Sequence, residues 1–370
     1  MAEIAPEPSR PAVLSRVQAS LPGRRAIVIG AGSFGTAIAV LLARAGVRAT
    51  LQTRTSEQAA ALAESRENHA YLPGVELPAA LGIEPVSSGV SRADYVFLAI
   101  PSTALREVSG ELVAGGLGRR ATTVSLCKGL VPPDGATATT VLRGHFGTHR
   151  TACIGGPAHA QEMVHHGAAL VAASLDDGVA EGLAAIFTRS GVVCEISGDP
   201  IGVELAAVAK NAAALAAGAT EAQGLNAAGA AAGHIFAEVW RYAEANGAGP
   251  ESMIGLAGAG DLVATALAPL SRNRRAGELL AQGIPAAEIE RQVGQAVEAL
   301  ESVRLLAQAV ERAGFPAPVT GGLSRLISGE LPIEEWIALV RTTVPMRTGR
   351  RGPAWWRRLR SRRVNGPPPA

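Results

Sequence analysis

Cysteine, aromatic residues and long uncharged hydrophobic runs are all scarce in this chain of 370 residues. Its three cysteines, Cys127, Cys153 and Cys194, are far apart, which argues against a disulfide framework or a cysteine zinc site and favours a reducing, cytoplasmic location. Aromatics make up 4% of the residues, while alanine and glycine are abundant, so closely packed helices are favoured over an aromatic-rich β-sandwich. No apolar run reaches the roughly 18 uncharged residues of a membrane span. The first residues carry Glu3, Glu7 and several prolines, unlike a signal peptide.

Lysine is the rarest charged residue. Of 34 basic residues, only Lys128 and Lys210 are lysines. Arginine stays charged, whereas a lysine can lower its pKa and exchange a proton. Chance within a coding bias toward arginine is one explanation. Because both lysines stand in motifs flanked by glycine or an amide, we favour a chemical role for them.

Charge is distributed unevenly along the chain. Residues 346–370 contain eight arginines and no acid, so setting them aside turns the net charge of +2 into −6. The pair Trp355-Trp356 next to Arg357-Arg358 is compatible with weak contact to an anionic membrane surface. A solvated, disordered tail is the favoured interpretation, and nucleic-acid binding by so short a segment would be non-specific at best.

The first half of the chain alternates apolar strands with helical segments, which predicts a doubly wound parallel sheet. The predicted strands cover residues 25–30, 49–53, 94–100, 122–126, 152–154, 168–173 and 192–196. A helix is predicted over 36–45, closed by Gly46. After about residue 200 only helices are predicted, over 201–219, 233–246, 250–257, 273–282, 286–291, 295–313, 319–328 and 332–340.

These patterns predict an α/β fold in which an N-terminal Rossmann-type domain precedes a C-terminal all-α domain. The length suits two domains, and the 48% hydrophobic content supports a sizeable core. The predicted division is an irregular arm at 1–22, a dinucleotide-binding domain at 23–198, an α-helical substrate and catalytic domain at 199–344, and a basic tail at 345–370.

A glycine-rich loop follows the first predicted strand and opens the first predicted helix. It reads Gly30-Ala31-Gly32-Ser33-Phe34-Gly35. In this context the first glycine permits the tight turn, the second lets the backbone approach a pyrophosphate at the helix N-terminus, and the third allows close helix–strand packing. The loop predicts a bound dinucleotide; the alternative is a glycine-rich turn without a ligand.

The end of the second predicted strand bears on the choice of dinucleotide. An acid there would bind the ribose hydroxyls of NAD, but the strand ends Gln52-Thr53-Arg54. Arg54 could pair with a 2′-phosphate. We therefore expect NADP to be accepted alongside NAD; the alternative for Arg54 is a solvated loop cation.

A second cluster of motifs lies downstream. Gly258-Ala-Gly260-Asp261-Leu262 places an acid among glycines, and Thr265 follows. Ser271 is predicted to cap a helix that Arg272 and Asn273 open. Free backbone donors beside a guanidinium predict a phosphate site, with a solvated charged face as the alternative.

The chain resembles the bacterial NAD(P)-dependent glycerol-3-phosphate dehydrogenases over residues 25–340. The shared motifs, in the family's order and near its spacing, are Gly30-Ala-Gly-Ser-Phe-Gly-Thr-Ala37, Lys128-Gly129, Gly155-Gly-Pro157 with Ala160, Gly202-Val-Glu-Leu205 through Lys210-Asn211, Ala257-Gly-Ala-Gly-Asp-Leu262, Ser271-Arg-Asn-Arg-Arg275 and Gly294-Gln-Ala-Val-Glu298. The resemblance implies an enzyme that reversibly reduces dihydroxyacetone phosphate to sn-glycerol 3-phosphate for phospholipid synthesis. We further expect a homodimer and no metal site.

The resemblance also implies residue roles. Lys210 is the implied proton donor and acceptor, with Lys128 as a second cation and Asp261 orienting Lys210. The implied substrate-binding positions are Lys128, Gly156, Lys210, Asn211, Asp261, Thr265, Ser271, Arg272 and Asn273. The implied cofactor positions are Gly30, Gly32, Ser33, Phe34, Gly35, Arg54, Lys128, Ala160, Arg272, Ala296 and Glu298.

Two departures from the family pattern bear on the substrate. Ala158 stands where the family usually has a hydroxyl, with His159 replacing an aromatic residue, and residues 226–235 lack the usual basic and hydroxyl side chains. A paralogous dehydrogenase acting on another phosphorylated ketone or a hydroxy acid is therefore the second hypothesis. A non-catalytic nucleotide-binding protein is the third, and it would require the two lysines and Asp261 to be relics. His234 and the pair His165-His166 are interpreted as structural and surface histidines.

Overall fold

The computed structural model describes residues 23–268 and 271–344. The sequence predictions for residues 1–22 and 345–370 fall outside this part of the chain.

An eight-stranded sheet, flanked by helices on both faces, forms the first half of the protein. Its strand order is β10-β9-β8-β7-β6-β1-β2-β5, and β3 and β4 form a separate antiparallel pair. The strands are β1 Arg25–Ile29, β2 Arg48–Thr53, β3 Glu67–Asn68, β4 Leu72–Glu76, β5 Gly82–Pro85, β6 Tyr95–Leu98, β7 Thr122–Ser125, β8 Thr151–Gly155, β9 Ala169–Ala173 and β10 Val193–Ser197. The predicted fold class is confirmed. Strand β3 was not predicted because it consists of two polar residues, and β4 and β5 were not predicted because Pro73, Gly74, Gly82 and Pro85 interrupt their apolar pattern.

The sheet is not parallel throughout. Six strands are mutually parallel, whereas β9 and β10 run in the opposite direction because β9 pairs antiparallel with β8. The connection between β8 and β9 contains only a helix of six residues, Ala160–His165. That helix rises about 9 Å and cannot carry the chain back along a whole strand. The sheet predicted as parallel therefore carries two strands of opposite direction at one edge.

Six helices belong to the sheet region: α1 Ser33–Arg44, α2 Ser56–Ser65, α3 Leu105–Ala114, α4 Ala138–Phe146, α5 Ala160–His165 and α6 Asp177–Arg189. Two hydrophobic clusters separate the sheet from its helices. One contains Ile38 of α1 and Ile186 of α6, and the other contains Leu105 of α3 and Leu142 of α4. This division into two faces is the doubly wound arrangement.

After β10 the described chain is helical. The helices are α7 Pro200–Thr220, α8 Leu225–Ala245, α9 Pro250–Ile254, α10 Asp261–Leu267, α11 Arg272–Ala281, α12 Ala286–Val293, α13 Glu298–Arg312, α14 Pro318–Ile327 and α15 Ile333–Thr342, with a π-helical turn at Leu256–Gly260. The predicted division near residue 198 falls between β10 and α7 and stays a prediction. Helix α8 begins eight residues earlier than predicted, since its glycine- and alanine-rich start carries little periodic signal.

Helix α7 is the axis of the helical half. It begins with Pro200, and the Asp199 side chain caps it by accepting a hydrogen bond from Gly202 N at 2.8 Å. The segment Pro200–Gln223 is long and apolar enough to cross a membrane, but 89% of its most apolar window is buried inside the protein.

Helices α7 and α11 cross with their backbones in contact. A Cβ atom on Gly218 would lie 2.0 Å from the carbonyl oxygen of Arg274, and one on Gly277 would lie 2.0 Å from that of Leu215. Only glycine permits this approach at either position. The crossing brings Asn211 of α7 and Asn273 of α11 within hydrogen-bonding distance.

Candidate active site

The glycine-rich loop lies at the carboxyl end of β1, in the middle of the sheet. Gly30 has a φ of +110°, and a Cβ on it would lie 2.2 Å from the carbonyl oxygen of Ala99. A Cβ on Gly35 would lie 2.0 Å from the carbonyl oxygen of Gly30, whereas one on Gly32 would meet no atom within 4 Å. Gly30 and Gly35 thus allow the turn and the helix packing, while Gly32 leaves open space for a ligand.

The N-terminus of α1 fits a negatively charged group. Its N-cap, Gly32, has no side chain, and the first turn contains no acid. The backbone N–H groups of the first turn therefore lack a side-chain partner, and the helix dipole favours an anion there. The buried amide of Asn68 braces the loop, donating to the carbonyl oxygen of Ala31 at 3.0 Å and to Thr36 Oγ1 at 2.8 Å. This residue was missed, because a lone asparagine in a short strand carries no sequence signal.

Arg54 follows the last residue of β2, the strand beside β1. It is exposed, and its side chain has no hydrogen bond or ion pair to the described residues. The guanidinium is therefore available to a ligand at the carboxyl edge of the sheet. The loop, the open space at Gly32 and Arg54 together fit a dinucleotide.

Both lysines of the chain reach a single oxygen. Lys128 lies just beyond β7, Lys210 lies in the middle of α7, and Asp261 is the first residue of α10. Lys128 Nζ and Lys210 Nζ are each 3.3 Å from Asp261 Oδ2. Asp261 is 1% exposed, so its negative charge is shared by two cations and shielded from water.

The pKa values in this cluster follow from burial and from the three charges. Burial, followed by the neighbouring Lys128 ammonium, lowers the pKa of Lys210 to about 8, although Asp261 acts in the opposite direction. Burial alone would raise the pKa of Asp261, but the two lysines outweigh it and hold that pKa below its ordinary value. Lys210 can therefore exchange a proton near neutral pH, while Asp261 stays ionised.

Asp261 is positioned by an unusual turn. The π-helical segment Leu256–Gly260 leads directly into α10, and a Cβ on Gly258 would lie 2.0 Å from the carbonyl oxygen of Met253. Thr265, one turn into α10, donates to Asp261 Oδ1 at 3.4 Å. The sequence predicted a glycine-flanked loop here; the π-turn and helix α10 were missed, because three glycines in the six residues 255–260 argue against a helix.

A chain of amides ties Lys128 to the helical half. Asn273 Nδ2 donates to Asn211 Oδ1 at 2.9 Å, and Asn211 Nδ2 donates to the carbonyl oxygen of Lys128 at 3.1 Å. Asn211 is 3% exposed. Ser271 accepts a hydrogen bond from Arg274 N at 3.4 Å and caps α11, as predicted. The bond between Asn273 and Asn211 places the first turn of α11 next to the same cluster.

The remaining predicted residues surround this cluster. Glu298 begins α13 and faces Lys128, Lys210 and Arg272; burial raises its pKa, and these cations only partly offset the rise. Arg272 Nη1 donates to the carbonyl oxygen of Ala296 at 3.1 Å. Two further positions lie in the turn after β8: Gly156, with a φ of +97°, and Ala160, the first residue of α5, which packs in the same hydrophobic cluster as Phe34.

Two features mark where this chain departs from the family pattern. Ala158 is buried and apolar, and burial lowers the pKa of the neighbouring His159, which also feels the charges of Asp261 and both lysines. The start of α8 lies over an apolar groove of about 530 Å³. Its lining includes Ala214, Ala217, Ala228, Gly229, Ala232, Gly233, Leu262 and Ala266.

No cluster of three or more histidine, cysteine, aspartate or glutamate residues with the geometry of a metal site occurs within residues 23–268 and 271–344. His165 and His166 are exposed at the end of α5.

Comparison with known proteins identifies the family. Residues 25–180 match the model of the NAD-dependent glycerol-3-phosphate dehydrogenase N-terminus, and residues 199–338 match that of the C-terminus. The chain is 38% identical over 307 residues to a glycerol-3-phosphate dehydrogenase [NAD(P)+] of Deinococcus radiodurans, covering 82% of this chain and 90% of the relative. It is 34% identical over 325 residues to that of Azotobacter vinelandii, covering 86% and 94%.

Among solved structures, the glycerol-3-phosphate dehydrogenase of Coxiella burnetii superposes with a TM-score of 0.81 at 26% identity, over 86% of this chain and 99% of that one. The Plasmodium falciparum glycerol-3-phosphate dehydrogenase, at 15% identity and a TM-score of 0.78, covers 89% and 98% and supports the fold alone. With both halves matched by family models and relatives at this identity, the chain belongs to the NAD(P)-dependent glycerol-3-phosphate dehydrogenases.

Proposed function

We propose that this chain catalyses the reversible reduction of dihydroxyacetone phosphate to sn-glycerol 3-phosphate with NADH or NADPH, and thereby supplies glycerophospholipid synthesis. The observation that carries the proposal is the arrangement of Lys128 and Lys210 on one oxygen of the buried Asp261. A ketone reductase needs a cation that stabilises developing oxyanion charge and a group that delivers a proton. This cluster supplies both.

Lys210 is proposed as the proton donor in the direction of reduction. Its ammonium would hydrogen-bond to the carbonyl oxygen of the substrate and release a proton to it as the negative charge develops. A pKa lowered to about 8 by burial and by Lys128 makes that release easier than from an ordinary lysine. In the direction of oxidation the neutral amine of Lys210 would accept the hydroxyl proton.

Lys128 and Asp261 are proposed to set up that transfer. Lys128 adds a second positive charge next to the carbonyl oxygen, and Asp261 holds both ammonium groups by its Oδ2. Because Asp261 is buried, water does not compete for these contacts.

The substrate phosphate is proposed to bind at the start of α11. Ser271, Arg272 and Asn273 stand there, and the first turn carries no acid. Asn211 and Thr265 lie between this turn and the two lysines, and Gly156 belongs to the neighbouring turn after β8. A guanidinium and free N–H groups at a helix N-terminus favour a phosphate.

The dinucleotide is proposed to lie across the carboxyl edge of β1 and β2. Gly30, Gly32, Ser33, Phe34 and Gly35 would hold the pyrophosphate, Arg54 the 2′-phosphate of NADP, and Lys128, Ala160, Arg272, Ala296 and Glu298 would surround the remainder. When bound in its reduced form, the nicotinamide supplies the hydride for the ketone carbon.

The proposal is tested by following NADH and NADPH oxidation in parallel with dihydroxyacetone phosphate. Unphosphorylated dihydroxyacetone is the control, since the proposed phosphate site predicts a much higher KM for it. Absence of turnover from a folded preparation would contradict the proposal. If the dinucleotide bound but no ketone in a panel reacted, a non-catalytic nucleotide-binding role would replace it.

A different phosphorylated ketone is the second candidate substrate. It is favoured by the buried Ala158 and by the groove under α8, whose lining is mostly apolar and includes Leu262, the residue after Asp261. Such a lining would accommodate carbon atoms that a triose phosphate lacks. A panel of ketose phosphates of increasing length distinguishes the two, because a higher kcat/KM for a longer substrate would favour the second candidate.

We also propose that the chain forms a homodimer, that it is cytoplasmic, that its domains divide between residues 198 and 199, and that the basic tail makes weak contact with membranes. Sedimentation of the full chain tests the oligomeric state. Liposome co-sedimentation of the full chain against residues 1–345 tests the tail, and equal binding by both would exclude a contribution from it.

A further inference from the structure

The aromatic ring of the dinucleotide loop lies against one of the two lysines. Lys128 Nζ is 5.2 Å from the centroid of the Phe34 ring, within the range of a cation–π contact. Phe34 is the second residue of α1 and is partly buried. The ring therefore connects the loop after β1 to the lysine beyond β7.

The other contacts of Lys128 restrict the positions that its ammonium can adopt. Its carbonyl oxygen accepts a hydrogen bond from Asn211, and its Nζ reaches Asp261 Oδ2. The residue that follows is also constrained, since a Cβ on Gly129 would lie 2.6 Å from Ser302 Oγ. The backbone of Lys128 is thus anchored, and the ammonium of its flexible side chain contacts both the Phe34 ring and Asp261.

We propose that Phe34 is a positioning residue, whose ring holds the ammonium of Lys128 next to Asp261 and Lys210. The contact makes the dinucleotide loop part of the cation cluster. Its kinetic consequences rest on the proposed function, whereas the arrangement of the two lysines does not.

The position of Lys128 affects the neighbouring lysine. After burial, the charge of Lys128 is the largest influence that lowers the pKa of Lys210. The other charged groups that face Lys210 are Asp261 and Glu298, which raise its pKa. His159 lies near enough to feel Lys210 but is held below its ordinary pKa by burial. With the ring gone, Lys128 would spend more time away from Asp261, and the pKa of Lys210 would rise toward its ordinary value of 10.5.

The chain offers a direct test, because it contains only two lysines. Protein labelled with ¹³C at lysine Cε gives two side-chain signals, which Lys128→Arg assigns. In the wild type the Lys128 signal should carry the shielding of a nearby ring, and Lys210 should titrate near pH 8.

Three variants separate positioning from mere packing. Phe34→Leu removes the ring and Phe34→Trp keeps one. Phe146→Leu removes the ring that lies 5.8 Å from Arg150 Cζ, near the amino-terminal end of β8, whereas Lys128 follows the carboxyl end of β7. We expect Phe34→Leu to abolish the shielding and to move the titration of Lys210 upward. Phe34→Trp should retain both, and Phe146→Leu should change neither. If Phe34→Leu does not fold, Phe34→Met serves as the ring-free variant, with thermal melting as the check.

Unchanged Lys128 and Lys210 signals in a folded ring-free variant would overturn the proposal. The kinetic measurement is the pH profile of reduction, whose basic limb should move to higher pH in Phe34→Leu. The KM for dihydroxyacetone phosphate should rise by about threefold to thirtyfold, the range expected for loss of one partly buried cation–π contact, and Phe34→Trp should restore it. Because the spectra need no substrate, a wild type that does not reduce dihydroxyacetone phosphate would contradict the proposed function without affecting this test.

Discussion

Lys210 Nζ lies 3.3 Å from Asp261 Oδ2, and both side chains are buried. A buried ion pair of this kind is costly to form, and removing one of its partners strongly destabilises the protein. Its retention inside the helical half is explained by chemistry rather than by stability. A lysine that is buried, paired and close to a second cation can release a proton near neutral pH, which an exposed lysine or any arginine cannot.

Replacing Lys210 tests this interpretation. Lys210→Met should lower kcat by about 10²- to 10⁴-fold, the usual contribution of a positioned general acid, while the Kd for NADPH changes little. Lys210→Arg is the matched control, because it keeps the charge but cannot release a proton at pH 8. Stopped-flow kinetics and cofactor fluorescence provide the two measurements. A loss in Lys210→Met of less than about tenfold, well below that general-acid range, would remove Lys210 from the proposed role.

The pH dependence should have opposite signs in the two directions. Reduction needs the ammonium form of Lys210, so kcat for reduction should be highest below pH 8 and fall as pH rises through about 8. Oxidation of glycerol 3-phosphate needs the neutral amine and should rise over the same range. Profiles of kcat in both directions check this. Two profiles that fall together would show that another group controls the rate.

The amide chain from Asn273 to Lys128 should behave as a unit. Asn211→Leu leaves Asn273 and the carbonyl oxygen of Lys128 without partners, which should cost about 1–3 kcal/mol in the free energy of unfolding. A double-mutant cycle with Asn273→Ala measures the coupling by chemical denaturation and by KM for the substrate. Additive effects of the two substitutions would contradict a connected chain.

Arg54 should govern the preference between the two dinucleotides. Arg54→Ser removes the exposed guanidinium at the end of β2, so the KM for NADPH should rise by about tenfold or more, as expected for loss of a charge-assisted contact, while that for NADH stays nearly constant. Arg48, at the other end of β2, provides a control variant, Arg48→Ser, that should change neither constant. An equal rise for both dinucleotides in Arg54→Ser would refute the assignment.

Glu204 should make stability depend on pH. It is buried on α7, and its carboxylate accepts hydrogen bonds from Thr139 N at 3.0 and 3.1 Å and from Thr139 Oγ1. The Glu204 carboxylate thereby caps the N-terminus of α4. Burial raises the pKa of Glu204 from 4.5 to about 7. Since the folded pKa lies above the unfolded one, the folded state binds the extra proton between these values. The contribution of Glu204 to stability is therefore fully present below about pH 4.5 and is lost as the pH rises through about 7.

Glu204→Gln isolates this contribution. The amide stays neutral at every pH, so the stability of the variant relative to wild type should increase between pH 5 and pH 8 by up to about 3 kcal/mol. Denaturant unfolding at several pH values measures the difference. Glu238→Gln is the matched control, because Glu238 caps α14 in the same way, through Val319 N and Thr320 N. A constant difference across the pH range in Glu204→Gln would contradict the prediction.

Local signals made much of the fold predictable. A short apolar run that ends in Gly30 predicts strand, turn and helix, since each of these depends on neighbouring residues. Ser271 was recognised as a cap for the same reason. Strand β5 and helix α10 were missed, because glycine and proline near them oppose the local preference and only packing against the rest of the protein overrides it.

The sequence by itself determined the kinds of groups available: a loop that admits a pyrophosphate, two lysines in a chain that otherwise uses arginine, and an acid among glycines. The tertiary structure decided that Lys128 and Asp261, 133 positions apart, meet with Lys210 at one buried oxygen. Sequence order carries no information on that distance, which depends on where the sheet places Lys128 and on the turn that leads into α10. Burial at that point, a property of the folded chain alone, is the largest cause that lowers the pKa of Lys210 to about 8, and the neighbouring charge of Lys128 adds to it.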